Sequence, residues 1–274
     1  MKALNRPIGW LVKGILLVLF GWPFFWMIST SLQTISEVNT VTPTFLPAIP
    51  QFGNYIKAWN FGATGMNGFL KNSLLTIVAV ISLQTLVMVP AAYAFAKYEF
   101  RFKKIMFGCI LAALMLPTQI TFLPVYLMMS NWNLINTLWP QILPFATNAF
   151  AIFLLRQYFL QIPNELIDAA RIDGASETRI ICGLMLPMSK PALATITLFS
   201  FVGHWNDYFW PFVMTNSDST RTLPVAIAQM KDLEGLSNWN VVMAGNALLV
   251  LPILLIYLVA HKQIVKSFAY SGIK

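Results

Sequence analysis

Of the chain's 274 residues, 57% are hydrophobic and only 10% are charged, against roughly a quarter charged in an ordinary soluble domain. A mean hydropathy of +0.66 and several apolar stretches of about 20 residues exclude a soluble globular protein, and the lack of roughly ten-residue alternating segments excludes a β-barrel. The formal charge of +8 does not signal nucleic acid, because the basic residues are scattered at the ends of apolar runs instead of gathered on one face. The expected fold class is an all-α polytopic membrane protein.

In chain order, the N-terminus begins with Met1, Lys2 and Arg6 and turns apolar from Ile8. It has the polarity of a signal peptide, but the apolar region runs on to about Ile28, too long for a typical h-region, and reads as an uncleaved first span. Six spans are expected, over 8–29, 70–95, 105–128, 138–160, 186–212 and 242–262. Pro117, Pro124, Pro144 and Pro252 fall inside them and read as kinks, since neighbouring helices can satisfy the freed carbonyls. Eight tryptophans, among them Trp10, Trp26, Trp132, Trp205 and Trp239, sit near span ends as an interfacial belt should. Loops follow the first span and run from about 213 to 241, neither long enough for an enzyme domain. No tandem repeat or low-complexity segment interrupts this order.

Orientation follows from the basic residues. With a cytoplasmic N-terminus, fourteen of the 18 lie inside and four (Lys57, Lys71, Arg221 and Lys231) lie outside. That is a clear positive-inside bias, with Lys13 and Arg156 snorkelling from within span ends. Both termini and the polar segment between spans four and five are then cytoplasmic. Cys109 and Cys182 fall on different sides of this topology, so no disulfide is expected. His204 and His261 have no ligand-spaced partners, so no metal site is expected.

The segment 161–187 is the polar exception. It carries Glu165, Asp168, Arg171, Asp173, Glu177 and Arg179 within fifteen positions, and it reads as two short helices hinged at Asp173-Gly174. Asn164 is placed to cap the first helix. Leu166, Ile167, Ala169, Ala170 and Ile172 give it an apolar face, while Glu165, Asp168 and Arg171 share the other. Gly174 can take positive φ and let the chain reverse. Ser176 is a natural cap for the second helix, with Glu177 favourable in its first turn.

This segment resembles the EAA loop of ABC importer permeases, whose pattern is Glu-Ala-Ala, three residues, Gly, and farther on Ile-x-Leu-Pro. Here it stands as Asp168-Ala169-Ala170, then Gly174, then Leu184-Met185-Leu186-Pro187. Asp168 replaces the usual Glu and Leu184 the usual Ile. The runs LMLPTQITFLPVYLMM, HWNDYFWPFVMT and TLPVAIAQM and the tail HKQIVKSFAYSGIK look like the carbohydrate-uptake branch, in particular its maltose-permease-like second membrane subunit. The likeness extends over nearly the whole chain, taken as one permease domain over 1–274.

The resemblance implies a type I ABC importer permease in the bacterial or archaeal cytoplasmic membrane, forming half of a translocation pathway. The loop would be a cytoplasmic coupling helix between spans four and five, docking on an ATPase subunit through Glu165, Asp168, Ala169, Ala170, Arg171, Asp173, Gly174 and Pro187. The tail from His261 to Lys274 would lie along the same partner. The implied partners are a second homologous permease subunit, an ABC ATPase dimer, an extracytoplasmic solute-binding protein and a sugar or sugar-like solute, with surrounding lipid and no nucleic acid. No cofactor is expected in this chain, with ATP and Mg in the partner ATPase.

The chain has no G-x-x-x-x-G-K-[ST] phosphate loop, no nucleophile–base grouping and no paired carboxylates, so no catalytic residue is assigned. Candidate pathway residues are the polar ones within spans: Gln119, Asn148, Trp205, Asn206 and Asp207, with Thr121, His204 and Tyr208 beside them. Asp207 has a second reading as a helix cap, and in-span amides often just bridge helices. Aromatic and amide groups suit a sugar, and glycerol phosphate esters remain open. A stand-alone secondary transporter would need coupling-ion sites at span centres, and the acids here fall almost entirely elsewhere. A membrane enzyme would need the catalytic set that is missing.

Overall fold

The computed structural model describes residues 5–231 and 238–271, with side chains described for 9–231 and 238–258. Every regular element among them is helical. Among the described residues three helices are long and apolar enough to cross a membrane, and three further pairs qualify if each bent pair counts as one span. The contacts divide the chain into two compact units, Met1–Leu70 with Thr222–Leu254 and Lys71–Arg221 with Leu255–Lys274.

In the first unit, α1 (Asn5–Ser31) leaves its side chains from Trp10 to Phe25 exposed. Its last turn is different: Ser29, Thr30 and Ser31 are buried. Polar side chains add to the backbone pairing there. Asn54, on α3 (Gly53–Trp59), donates to the Ser31 and Gln33 carbonyls at 2.8 and 2.9 Å. Asn240, near the start of α14 (Trp239–Ser271), donates to the Asn54 side-chain oxygen at 3.2 Å. The short α2 (Ile35–Val38) is closed by a reciprocal capping box of Thr34 and Glu37. In the same unit α13 (Leu223–Gln229) lies close to α14 at Gly245, where a Cβ would come within 3.0 Å of the Met230 sulfur.

The second unit is built on α4 (Gly65–Lys97) from Lys71 onward. α5 (Lys103–Ala113) and α6 (Thr118–Asn131) meet at 98°, because Pro117 lacks an amide hydrogen and holds an extended ψ of 134° at the head of α6. What reads as a kink in the sequence is therefore a break, whereas Pro124 and Pro252 lie within continuous helices. Two 3₁₀ turns, Trp139–Gln141 and Leu143–Phe145, lead into α7 (Ala149–Leu160) at 40°.

The segment 161–187 forms α8 (Asn164–Ile172) and α9 (Glu177–Ile180). A π-helical turn, Ile181–Met185, and α10 (Leu186–Met188) follow. The fifth expected span, 186–212, is not continuous. The chain bends by 82° into α11 (Lys190–Trp205) and breaks again before α12 (Phe209–Met214). One core joins Met88, Ala92, Tyr93 and Ala96 of α4 to Leu155 and Phe159 of α7, and to Ile167, Ile180 and Met185 of the insert.

Candidate functional site

The insert is more ordered than a solvated loop requires. Pro163, at ψ 140°, holds the cap position of α8 and offers no side-chain acceptor. Asn164 does not cap, contrary to the sequence expectation. It is the first helical residue, and its side-chain oxygen instead accepts from Lys97 Nζ at 2.8 Å. Glu165 in the first turn and Arg171 in the last both suit the helix dipole. At the other end Gly174 takes φ +77°. Its amide donates to the Arg171 carbonyl and that of Ala175 to the Ala170 carbonyl, each at 3.0 Å. This is a Schellman arrangement, which needs positive φ at that glycine. Ser176 then caps α9, accepting from the Arg179 amide at 3.4 Å.

Only one side of α8 is covered. Ile167 is buried and Ala170 half-buried, while Glu165, Leu166, Asp168, Ala169, Asp173 and Gly174 are exposed. Ile172 is 87% exposed. The expected apolar face is thus split: Ile167 seats the helix, and Leu166, Ala169 and Ile172 stay outside among carboxylates.

Charge fixes the two helices to each other. Glu177 accepts from Arg171 Nε at 2.9 Å through one oxygen and from the Tyr93 hydroxyl at 2.7 Å through the other. Arg171 also reaches Asp168 at 3.5 Å and lies 5.9 Å from the centre of the Tyr98 ring. Glu177 belongs to the insert, outside the expected span, and Arg171 first and then Tyr93 hold its carboxyl down at about 2. Lys97 donates as well to the Ile162 carbonyl at 2.6 Å. Pro187 is exposed on α10, directly after the π-helical turn.

Several of the candidate pathway residues have structural duties. Asn148 caps α7, its side-chain oxygen accepting from the Ala151 amide at 3.1 Å. Trp205 is fully buried and stacked on Phe201 at 5.4 Å. Asn206, exposed at the end of α11, donates to the Val202 carbonyl at 2.9 Å. Asp207 accepts from the Trp210 amide at 3.3 Å at the head of α12, the cap geometry weighed as its second reading. Gln119 and Thr121 are exposed on α6, and Thr121 bonds back to the Thr118 carbonyl.

Sequence reasoning missed Tyr93, which looks like one more aromatic in the apolar run AAYAFAK. It also missed Asn136, whose side-chain oxygen accepts from the Asn216 and Ser217 amides and from the Ser217 and Thr220 hydroxyls, at 2.8–3.0 Å. The available signal was the residue type alone: Asn tolerates the left-handed region, and Asn136 takes φ +62°. Among the described residues no three His, Cys, Asp or Glu are placed to hold a metal ion. Cys109 and Cys182 are free and exposed. His261 and the tail to Lys274 lie outside the described side chains.

Comparison with known proteins gives the geometry a context. Residues 87–270 match the family described as binding-protein-dependent transport system inner membrane component. The chain is 30% identical, over 280 residues and the full length of both chains, to the arabinooligosaccharides transport system permease protein AraQ of Halalkalibacterium halodurans. It is 31% identical over 266 residues to the sn-glycerol-3-phosphate transport system permease protein UgpE of Yersinia pestis, covering 95% of this chain and 94% of that one. A chain in the crystal structure of a bacterial ABC transporter involved in import of the acidic polysaccharide alginate superimposes with a TM-score of 0.83 at 26% identity. The overlap covers 95% of this chain and 96% of that one.

Proposed function

Because this chain belongs to the family of binding-protein-dependent transport system inner membrane components, we propose the following division of labour for it. The chain is the membrane-embedded permease subunit of an ABC importer for a sugar or sugar-like solute. It crosses the membrane six times, through α1, α4, the α5–α6 pair, the two 3₁₀ turns with α7, the stretch from α10 to α12, and α14, with both termini and the insert on the cytoplasmic side. The insert is the coupling element. α8 docks into a groove of a separate ATPase subunit, which holds the ATP and Mg, and a second permease chain completes the pathway. An extracytoplasmic binding protein delivers the solute, and closure of the ATPase pair drives alternating access.

The observation that carries this reading is the outer side of α8: Leu166, Ala169 and Ile172 exposed beside Glu165, Asp168 and Asp173. Small and aliphatic groups permit close seating, and the carboxylates select a basic rim. A helix locked at both ends moves as a rigid body when its partner moves. The similarity to UgpE favours glycerol phosphate as the second solute class.

The test is reconstitution in proteoliposomes with and without the ATPase and the binding protein, offered arabino-oligosaccharides, alginate oligosaccharides and sn-glycerol 3-phosphate. Uptake is expected only with all components and ATP present. Transport by the chain alone overturns the reading. Cysteine placed at Ser176 should react only with reagents that cross the membrane, and ready labelling from outside overturns the orientation.

A further inference from the structure

Tyr93 and Lys97 are four residues apart on α4 and therefore share one face of that helix, one turn from each other. Both reach the insert. Lys97 grips its beginning, at the Ile162 carbonyl and the Asn164 side chain. Tyr93 grips its second helix, donating to Glu177 at 2.7 Å across 84 positions of chain. Between these two grips Ile167 of α8 and Ile180 of α9 are buried in the core that contains Met88, Ala92 and Ala96 of α4. Glu177 completes the path, since its other oxygen holds Arg171 of α8.

The covalent route out of the insert is less direct. Toward α11 the chain passes a π-helical turn over Ile181–Met185 and then the 82° bend at Ser189. The Ser189 hydroxyl is buried there with no hydrogen-bond partner. The π-helical turn and the sharp bend mean that the covalent path is not one straight helix from the insert into α11. Toward α7 the link is residues 161–163, and its Ile162 carbonyl is itself held by Lys97.

We propose that α4 is a direct receiver of the insert's displacement, and that Tyr93 is the positioning residue that makes α4 and the insert move as one body through Glu177. The inference rests on the reading of the insert as the coupling element. It adds a non-covalent line of force into a helix that is not adjacent to the insert in sequence.

The test uses the full complex, with ATPase and binding protein, in proteoliposomes. Tyr93→Phe removes the hydroxyl and keeps the ring, which packs edge-on against Tyr98 and Phe159. The ATPase is expected to co-purify as with the parent and to keep hydrolysing ATP, while solute taken up per ATP falls about tenfold, the scale of one lost hydrogen bond to a charged group. A purely structural role would lower assembly and hydrolysis together and leave that ratio unchanged, which overturns the proposal. Asp168→Lys on the outer side of α8 separates the two levels. Lost ATPase association there, with a parental uptake ratio in Tyr93→Phe, sinks the α4 route alone, whereas parental behaviour of both variants sinks the coupling reading as well. Should Tyr93→Phe fail to assemble, Glu177→Gln, which keeps the shape and an acceptor oxygen, is read in the same assay against the same two outcomes.

Discussion

The Ser200 hydroxyl donates to the side-chain oxygen of Gln84 at 2.6 Å, across 116 positions of chain, and both residues are buried. The Gln84 amide in turn donates to the Phe145 carbonyl at 3.0 Å. One glutamine in an apolar helix thus ties α4 to α11 and to the 3₁₀ turn that precedes α7. No water competes for such groups in the hydrocarbon, so each tie is a registered contact between helices that would otherwise slide.

Ser200→Ala leaves the Gln84 oxygen without that donor. The substitution should lower stability by about 0.6–2 kcal/mol, the range for polar contacts between membrane helices, and leave insertion intact. Thermal unfolding in detergent micelles measures it, and an unchanged midpoint would show that the bond contributes nothing.

Asn136→Ala removes one acceptor that serves four donors in 216–220 and puts a Cβ-only side chain at positive φ. A loss of about 1–3 kcal/mol is expected from the orphaned donors. The same loop is pinned by Asn72, which donates to the Ser219 and Arg221 carbonyls at 2.9 Å. Limited proteolysis should therefore show faster cutting within 216–221 in Asn136→Ala and faster still in the double variant with Asn72→Ala. Equal cutting in all three would remove Asn136 from its anchoring role.

Gly174→Val and Gly174→Asn separate space from conformation. A Cβ at Gly174 meets nothing within 4 Å, so only its φ of +77° resists substitution. A left-handed L-residue costs roughly 1–2 kcal/mol, more for a β-branched one and less for Asn. Val should abolish ATPase association and Asn largely keep it, measured by co-purification. Equal behaviour of the two would mean that the turn is not what matters.

Glu177 sets a pH window. Its folded-state value lies below the ordinary carboxylate value, so its contribution is fully present above the ordinary value, wanes progressively below it and is gone once pH passes about 2. Amide hydrogen exchange of α8 and α9, corrected for intrinsic rates, should therefore be equally protected across the neutral range and lose protection as pH falls below the ordinary carboxylate value. In Arg171→Gln, which removes the largest cause of the depression, protection should be lower at neutral pH and vary less with pH. Protection in the parent protein that stays flat through the acid range would show that the carboxylate is not held down.

Asp207→Ala and Asp207→Asn distinguish a cap from a charge in the solute path. Asn keeps an acceptor for the Trp210 amide, whereas Ala loses it at about 0.5–2 kcal/mol. A cap role predicts parental uptake with Asn and reduced stability with Ala. A fall in uptake with Asn at full stability would make the charge itself functional.

Much of the membrane architecture is legible in one dimension. Apolar run length sets where helices can cross, and the expected 70–95 and 105–128 fall on α4 and on the α5–α6 pair. Local chemistry is legible for the same reason: the Gly174 turn and the Ser176 cap depend on residues within a few positions of each other. The breaks were harder to see. Pro117 turns the chain by 98° because the missing amide is combined with an extended ψ, and a proline in isolation does not reveal which way its neighbours will commit.

What the amino-acid order settles here is local and compositional: spans, caps, turns and the presence of a charged insert, since each follows from hydrophobic length or from contacts within one helical turn. Partnerships between distant residues came from folding alone. Tyr93 meets Glu177 and Ser200 meets Gln84 because packed helices bring together positions 84 and 116 residues apart, and no periodicity encodes which side chains will face each other. Among the caps Asn164 is the exception: its side-chain oxygen turns to Lys97, 67 positions away, while Asn148 and Asp207 hold amides three positions on.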